Sequence, residues 1–215
     1  MRDLCENGTV HMKPLGAYLS LESNVIGDPN EGLSAYYSSK NPTLKVTMKV
    51  GEQVLPLTSS DLANIRVGSS TRHHAVYCMA GITVPGDGTF GVHRDLVPFL
   101  SDRRLLDFGD TVVVFKNSQE FARRLDAAAK AAGHELDVEG PGPVTYVSED
   151  YCGRLDPYTK IGEYAYQQEF RFMTERPIEA EFINLNLGSL MDTVLFHLDP
   201  GDFRRIALGD VREVG

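Results

Sequence analysis

Apolar and polar positions along the chain change period several times, and the changes mark its elements. Thr9 to Met12 alternates as a short strand and stops at Pro14, whose ring removes a backbone donor. Leu15 to Leu21 has the spacing of one or two helical turns. Gly27-Asp28-Pro29-Asn30-Glu31-Gly32 packs turn formers too densely for a regular element. Thr43 to Val50 sets Leu44, Val46, Met48 and Val50 against polar neighbours, Gly51-Glu52 turns, and Gln53 to Leu57 returns, which predicts a hairpin. Ala75 to Val84, between His73-His74 and Pro85-Gly86-Asp87-Gly88, reads as a central strand. Gly109-Asp110 introduces a further apolar strand, Thr111 to Phe115. The helix after it is well delimited: Asn117 caps, Glu120 sits three residues on, Phe121, Leu125 and Ala128 share a face, and Gly133 stops it. Val144 to Val147, preceded by Gly140-Pro141-Gly142-Pro143, is a short strand and Tyr164 to Thr174 a long one. Ile183 to Leu187 and Val194 to Leu198 follow. Strands outnumber helices, so the expectation is α+β: a mixed sheet or split β-sandwich rather than a doubly wound parallel sheet.

Composition narrows the function classes. Hydrophobic residues make up 42% of the 215 and charged residues 24%, ordinary for a packed protein, and with no repeat, low-complexity tract or linker the chain reads as one domain, 1–215. A net charge of -9 argues against broad adhesion to phosphate backbones or anionic membranes, which clustered Lys and Arg carry. The pairs Arg103-Arg104, Arg123-Arg124 and Arg204-Arg205 are each flanked by acids and read as solvated surface. Three cysteines, Cys5, Cys78 and Cys152, make neither a CxxC nor an even framework, which fits a reducing compartment. Met1 to Gly8 has no apolar core of a signal segment, and no stretch has the apolar length of a membrane span, so the protein is read as cytoplasmic.

The segment with the most chemistry is the strand around Glu169. Alternation sends Tyr164, Tyr166, Gln168, Phe170 and Phe172 one way and Gln167, Glu169 and Arg171 the other. On the structural reading, Glu169 and Arg171 pair on a solvated sheet face. On the functional reading the polar row lines a cleft, where Glu169 accepts from a substrate hydroxyl and its charge stabilises an oxocarbenium-like state. No second carboxylate of a glycosidase pair stands out.

Two resemblances bear on the choice. The order of GTVHMKPLGAYLSLE, IGDPNEG, DFGDTVVVF, KIGEYAYQQEFRF and NLGSL resembles a largely uncharacterised family of bacterial and phage proteins, and brings no activity with it. Tyr166-Gln167-Gln168-Glu169-Phe170 resembles the Gln/Glu-x-Glu strand of ADP-ribosyltransferases, including the DNA-modifying toxin group. That resemblance implies NAD as cofactor, Glu169 on the nicotinamide ribose and Gln167 orienting a macromolecular acceptor, nucleic acid or protein. It also implies His11 as the early-strand residue and Tyr36-Tyr37-Ser38-Ser39 as the Ser/Tyr element, although the Ser-Thr-Ser form is absent. The expectation it carries is transfer of ADP-ribose in phage and host conflict.

Other candidates are sparser. Arg72, just before a strand, is placed to serve a phosphate. His73, His74 and Cys78 have a ligand-like spacing without a second pair, and a strand end explains them; His93, His134 and His197 are isolated, so no metal set is assigned. Asp28-Pro29-Asn30-Glu31 lacks EF-hand spacing and reads as a turn. No G-x-G-x-x-G, P-loop, G-x-S-x-G or H-E-x-x-H occurs. The rival to an enzyme is a non-catalytic module of a phage or bacterial defence or counter-defence system, which binds a partner through a sheet edge or the loop Gly27 to Gly32. A nuclease or phosphodiesterase would need a metal and a carboxylate cluster that the sequence does not assemble.

Overall fold

The computed structural model describes residues 3–20, 28–58, 63–81, 102–108, 111–115, 117–137 and 140–198. Leu21, Gly27, the 82–84 end of the strand expected from Ala75, Gly109-Asp110, His93 and Arg204-Arg205 lie outside these residues. Strands dominate: β1 Thr9–Pro14, β2 Leu33–Tyr37, β3 Val46–Val50, β4 Gln53–Leu57, β5 Ile65–Gly68, β6 His74–Ala80, β7 Val112–Phe115, β8 Gly142–Pro143, β9 Thr145–Val147, β10 Cys152–Arg154, β11 Thr159–Ile161, β12 Glu169–Pro177, β13 Ile183–Asn186 and β14 Val194–Leu198. Helix α1, Ser118–Ala131, joins them, with 3-10 turns at Leu15–Ser20, Ser70–His73, Arg103–Phe108 and Gly162–Gln167. The chain is thus mostly β with few helices, the coarse α+β class that the period changes predict.

The main sheet has five antiparallel strands in the order β13-β1-β6-β12-β8. Its two faces follow from strand alternation. Val10, Met12, Ala75, Phe172, Ile183 and Leu185 point to one side, where Phe121, Leu125 and Ala129 of α1 seal them into the largest core. The helix begins as its sequence dictates: the Asn117 side chain accepts from the Glu120 N–H at 2.9 Å, and Gly133 takes φ +81 to end it. The buried stripe is Phe121, Leu125 and Ala129, with Ala128 only partly covered, a shift of one residue.

The opposite face of the sheet carries Val76, Cys78 and Met173 with Leu15, Tyr18 and Tyr158, and beside them Glu169 and Arg171. A second layer lies on this side. It comprises the three-stranded sheet β10-β2-β5 and the parallel pair β11-β9, whose apolar contact is Leu33, Tyr36 and Ile161. β3 and β4 form a ribbon of their own, as do β7 and β14. The strands β2, β5, β10 and β11 are short pieces without clear alternation in sequence, and their pairing is what makes them strands.

One expected element changes. The strand taken to begin at Tyr164 begins at Glu169; Gly162–Gln167 is a 3-10 helix, and Gln168 ends it in the left-handed region at φ 41. The bend is locked from several sides: the Gln168 carbonyl accepts from Gly81 N–H at 2.8 Å, and the Glu169 N–H donates to the Tyr146 hydroxyl at 2.9 Å.

Candidate functional site

The polar face of β12 is not solvated. Arg171 is 1% exposed, Glu31 3%, Lys160 5% and Glu169 7%, and these four charges meet in the interior. Lys160 Nζ donates to Glu169 Oε2 at 2.6 Å and to Gln167 Oε1 at 3.0 Å, and lies 3.2 Å from Glu31 Oε2. Arg171 Nη2 donates to Glu31 Oε2 at 2.7 Å, its Nε to Glu169 Oε1, and its Nη1 to the Pro157 carbonyl. Each cation therefore bridges both carboxylates, and the four charges sum to zero. Buried charges persist only when paired and hydrogen-bonded in this way.

Local structure explains the assembly. Glu31 belongs to the dense turn: the Asp28 side chain accepts from Asn30 N–H at 2.7 Å and the Glu31 N–H donates to the Asp28 carbonyl at 3.0 Å, an Asx turn that Pro29 permits. Gly32 closes the turn at φ +63, and a Cβ there would come within 2.8 Å of Arg72 Cγ. Lys160 is the middle residue of β11. Two residues of a regular strand are roughly 7 Å apart along it; the left-handed bend at Gln168 instead lets Gln167 and Glu169 converge on one ammonium.

The electrostatics follow the geometry. Burial pushes the Glu169 carboxyl up, but Arg171 and Lys160 outweigh it and hold it down at about 2. Burial acts against the charged Lys160 and Arg171, and Glu31 and Glu169 override it, so both stay firmly protonated. Burial and then Glu169 push the Cys78 thiol well above its usual range, and burial raises Tyr18 and Tyr146. Glu169, Lys160 and Arg171 are thus held in their charged forms at neutral pH. Asp28 is the exception at the network's rim. It is 1% exposed, its Oδ2 meets no hydrogen-bond partner among the described residues, and burial with Glu31 beside it pushes it up to about 6.

The other expected site residues lie elsewhere. His11 sits on the same sheet face as Glu169, by the register Lys13↔Val76↔Met173, but β6 separates its strand from β12. Its side chain is exposed, with the ring edge-on to Phe182 at 6.3 Å. Tyr36 is buried against Leu33 and Ile161, Tyr37 is half-buried, and Ser38 is a buried turn residue whose hydroxyl accepts from Lys40 N–H. Arg72 packs its stem against Gly16 and Gly32 and donates to the Gly32 carbonyl at 3.2 Å, which holds the acidic turn in place. His74 Nδ1 lies 2.7 Å from the Thr174 carbonyl. Among the described residues, no group of three His, Cys, Asp or Glu side chains is placed to hold a metal, and no helix is long and apolar enough to cross a membrane.

Sequence reasoning found Glu169 and Gln167 and named the Asp28–Glu31 turn, but it did not join them, and it missed Lys160. The signal was thin: a lone lysine between Tyr158-Thr159 and Ile161 in a strand of three residues. An open depression of about 350 Å³ lies beyond the other end of β12, lined by Lys130, Gly133, His134, Glu135, Thr174 and Arg176. Comparison with protein-family models, with curated proteins and with solved structures gives no match to this chain.

Proposed function

We propose that the chain is a non-catalytic protein-binding module, with the Glu169 network as an internal latch and the β3–β4 ribbon as the surface offered to a partner. The observation that carries this reading is where apolar area stands outside the core. Met48 is 45% exposed, Val50 55% and Leu55 42% on one face of the ribbon, and Val54 58% on the other. A two-stranded ribbon gains little from its own pairing in water, and contiguous exposed apolar area marks docking surfaces. Glu169, by contrast, has its charge compensated by two internal cations, whereas a carboxylate that stabilises a developing positive charge must direct its field at the substrate.

A second reading keeps the ADP-ribosyltransferase resemblance, with NAD as donor and a nucleic acid or protein as acceptor. What favours it is the convergence of Gln167 and Glu169 on Lys160, on the sheet face that also carries His11. Titration calorimetry with NAD, on the wild type and on Glu169→Gln, separates the two. The module reading expects no saturable heat from either protein. Saturable binding to the wild type, lost in a Glu169→Gln variant that is still folded, overturns it in favour of the transferase.

A further inference from the structure

We propose that the partner of the β3–β4 ribbon is a second copy of this chain, joined through antiparallel pairing of β3 with its two-fold mate; this rests on the binding-module reading above. The two edges of the ribbon are not alike. β3 and β4 pair Val50↔Gln53, Lys49↔Val54, Met48↔Leu55, Thr47↔Pro56 and Val46↔Leu57 around the two-residue turn Gly51-Glu52, with Gly51 at φ +60. In an antiparallel ladder hydrogen-bonded and non-hydrogen-bonded pairs alternate, and the pair flanking a two-residue turn is hydrogen-bonded. Lys49, Val54, Thr47 and Pro56 therefore direct their backbone groups away from the ribbon. On β4 the proline removes a donor from the outer edge and blunts it. On β3 Thr47 and Lys49 are exposed, and their edge pairs with no other strand among the described residues.

That edge is self-complementary in one register. Pairing Thr47 with the partner's Lys49 matches outward donors and acceptors on both strands and sets Met48 opposite the partner's Met48, on the two-fold axis. Val46 then meets the partner's Val50 on the same face, and the two apolar rows become one. Lys45 lies opposite the partner's Gly51, next to the partner's Glu52, twice by symmetry. A shift of two residues either way sets Lys49 against the partner's Lys49 or Lys45, a like-charge opposition that a sheet disfavours. Neither Lys45 nor Lys49 has an ion-pair partner among the described residues, whereas Lys40 is held by Glu149. The result is a four-stranded sheet β4-β3-β3-β4 whose outer edges are both closed by Pro56, so association stops at two copies.

Light scattering on the full chain over a broad concentration range, with five variants, tests the proposal. The wild type should reach twice the mass of one chain. Met48→Cys should form a disulfide-linked dimer on mild oxidation, because Cα atoms of a non-hydrogen-bonded pair lie about 4.5 Å apart, within disulfide reach. Val50→Cys, which faces the partner's Val46, should not exceed the wild-type background set by Cys5, Cys78 and Cys152. Thr47→Pro, which closes the edge as Pro56 does on the other strand, should give a folded monomer whose melting temperature no longer depends on concentration. Lys45→Glu should weaken the dimer severalfold, and adding Glu52→Lys should restore it. A chain that stays monomeric at every concentration overturns the proposal, as does a dimer indifferent to Thr47→Pro in which Met48→Cys crosslinks no better than Val50→Cys. A monomer with a flat NAD titration removes only the second-copy assignment, whereas NAD binding lost in Glu169→Gln removes the reading beneath it.

Discussion

Asp28 offers the sharpest quantitative test of the buried electrostatics. Its carboxyl is pushed from an ordinary 3.8 to about 6, first by burial and then by Glu31. The raised folded value means that the folded chain binds this proton more tightly than the unfolded chain. The resulting stability is fully present below about 3.8 and is lost as pH rises through about 6. At roughly 1.4 kcal/mol per pH unit, the full displacement corresponds to about 3 kcal/mol. Asp28→Asn removes the titration while its Oδ1 can still accept from the Asn30 N–H. The measurement is the difference in unfolding free energy between variant and wild type, taken at pH 8 and again at pH 4.5. Any fixed cost of placing an amide at the orphaned Oδ2 position cancels between the two, and so do the histidines, which both proteins share. The lower limit also keeps clear of Glu169, whose value is held at about 2 and whose contribution is lost only as pH falls below about 4.5. The variant should gain about 2 kcal/mol on the wild type between pH 4.5 and 8, several degrees in melting temperature for a chain of this size. An equal difference at both pH values would refute the claim that Asp28 ionises in a desolvated site.

The remaining expectations concern the network, the bend and the helix. Arg171→Met leaves Glu31 and Glu169 with Lys160 alone and should destabilise the fold by about 3–5 kcal/mol in urea unfolding; an unchanged midpoint would mean that the cluster is hydrated. Gln168→Gly relieves a non-glycine residue at φ 41 and should raise stability by about 0.5–1 kcal/mol, whereas Gln168→Val should lower it. A stabilising Val there would show that the bend is not left-handed in solution. Leu125→Ala, at 0% exposure beneath the sheet, should cost about 2–5 kcal/mol by thermal melting, and a cost under about 0.5 would displace the helix from the core.

How much of this was legible in sequence depends on the range of the interaction. The helix from Asn117 to Gly133 was, because its cap, stripe and stop act within a few residues of one another. So was the β3–β4 hairpin, whose turn lies between its own strands. The strand expected from Tyr164 was not, because aromatic and polar residues alternate through Gly162–Gln167 as they would in a strand. What breaks the alternation is the hold that Gly81 and Tyr146 keep on Gln168 and Glu169, both distant in sequence. The site was half legible for the same reason. Residue type singled out Glu169, but whether its polar row faced water or the interior depended on Glu31, 140 positions away from the Arg171 that holds it.

The location of the buried charges bears on why they are kept. A well-packed apolar set at Glu31, Lys160, Glu169 and Arg171 would often be as stable as the ion network, so stability alone does not account for it. Apolar contacts, however, would not say which part of the second layer belongs over which part of β12. The network does. Glu31 carries the acidic turn before β2, Lys160 carries β11, and Pro157 presents a single carbonyl to Arg171, so each segment has one charge-matched seat on the sheet. Any other register leaves a charge buried without its partner, a cost of several kcal/mol. Among the described residues, the apolar set on that face of the main sheet is Leu15, Val76 and Met173 with the partly buried Tyr18, Cys78 and Tyr158, too small to select a register by shape. The carboxylate that looked most like chemistry in the sequence is accounted for here by the need of two thin layers to meet in one way.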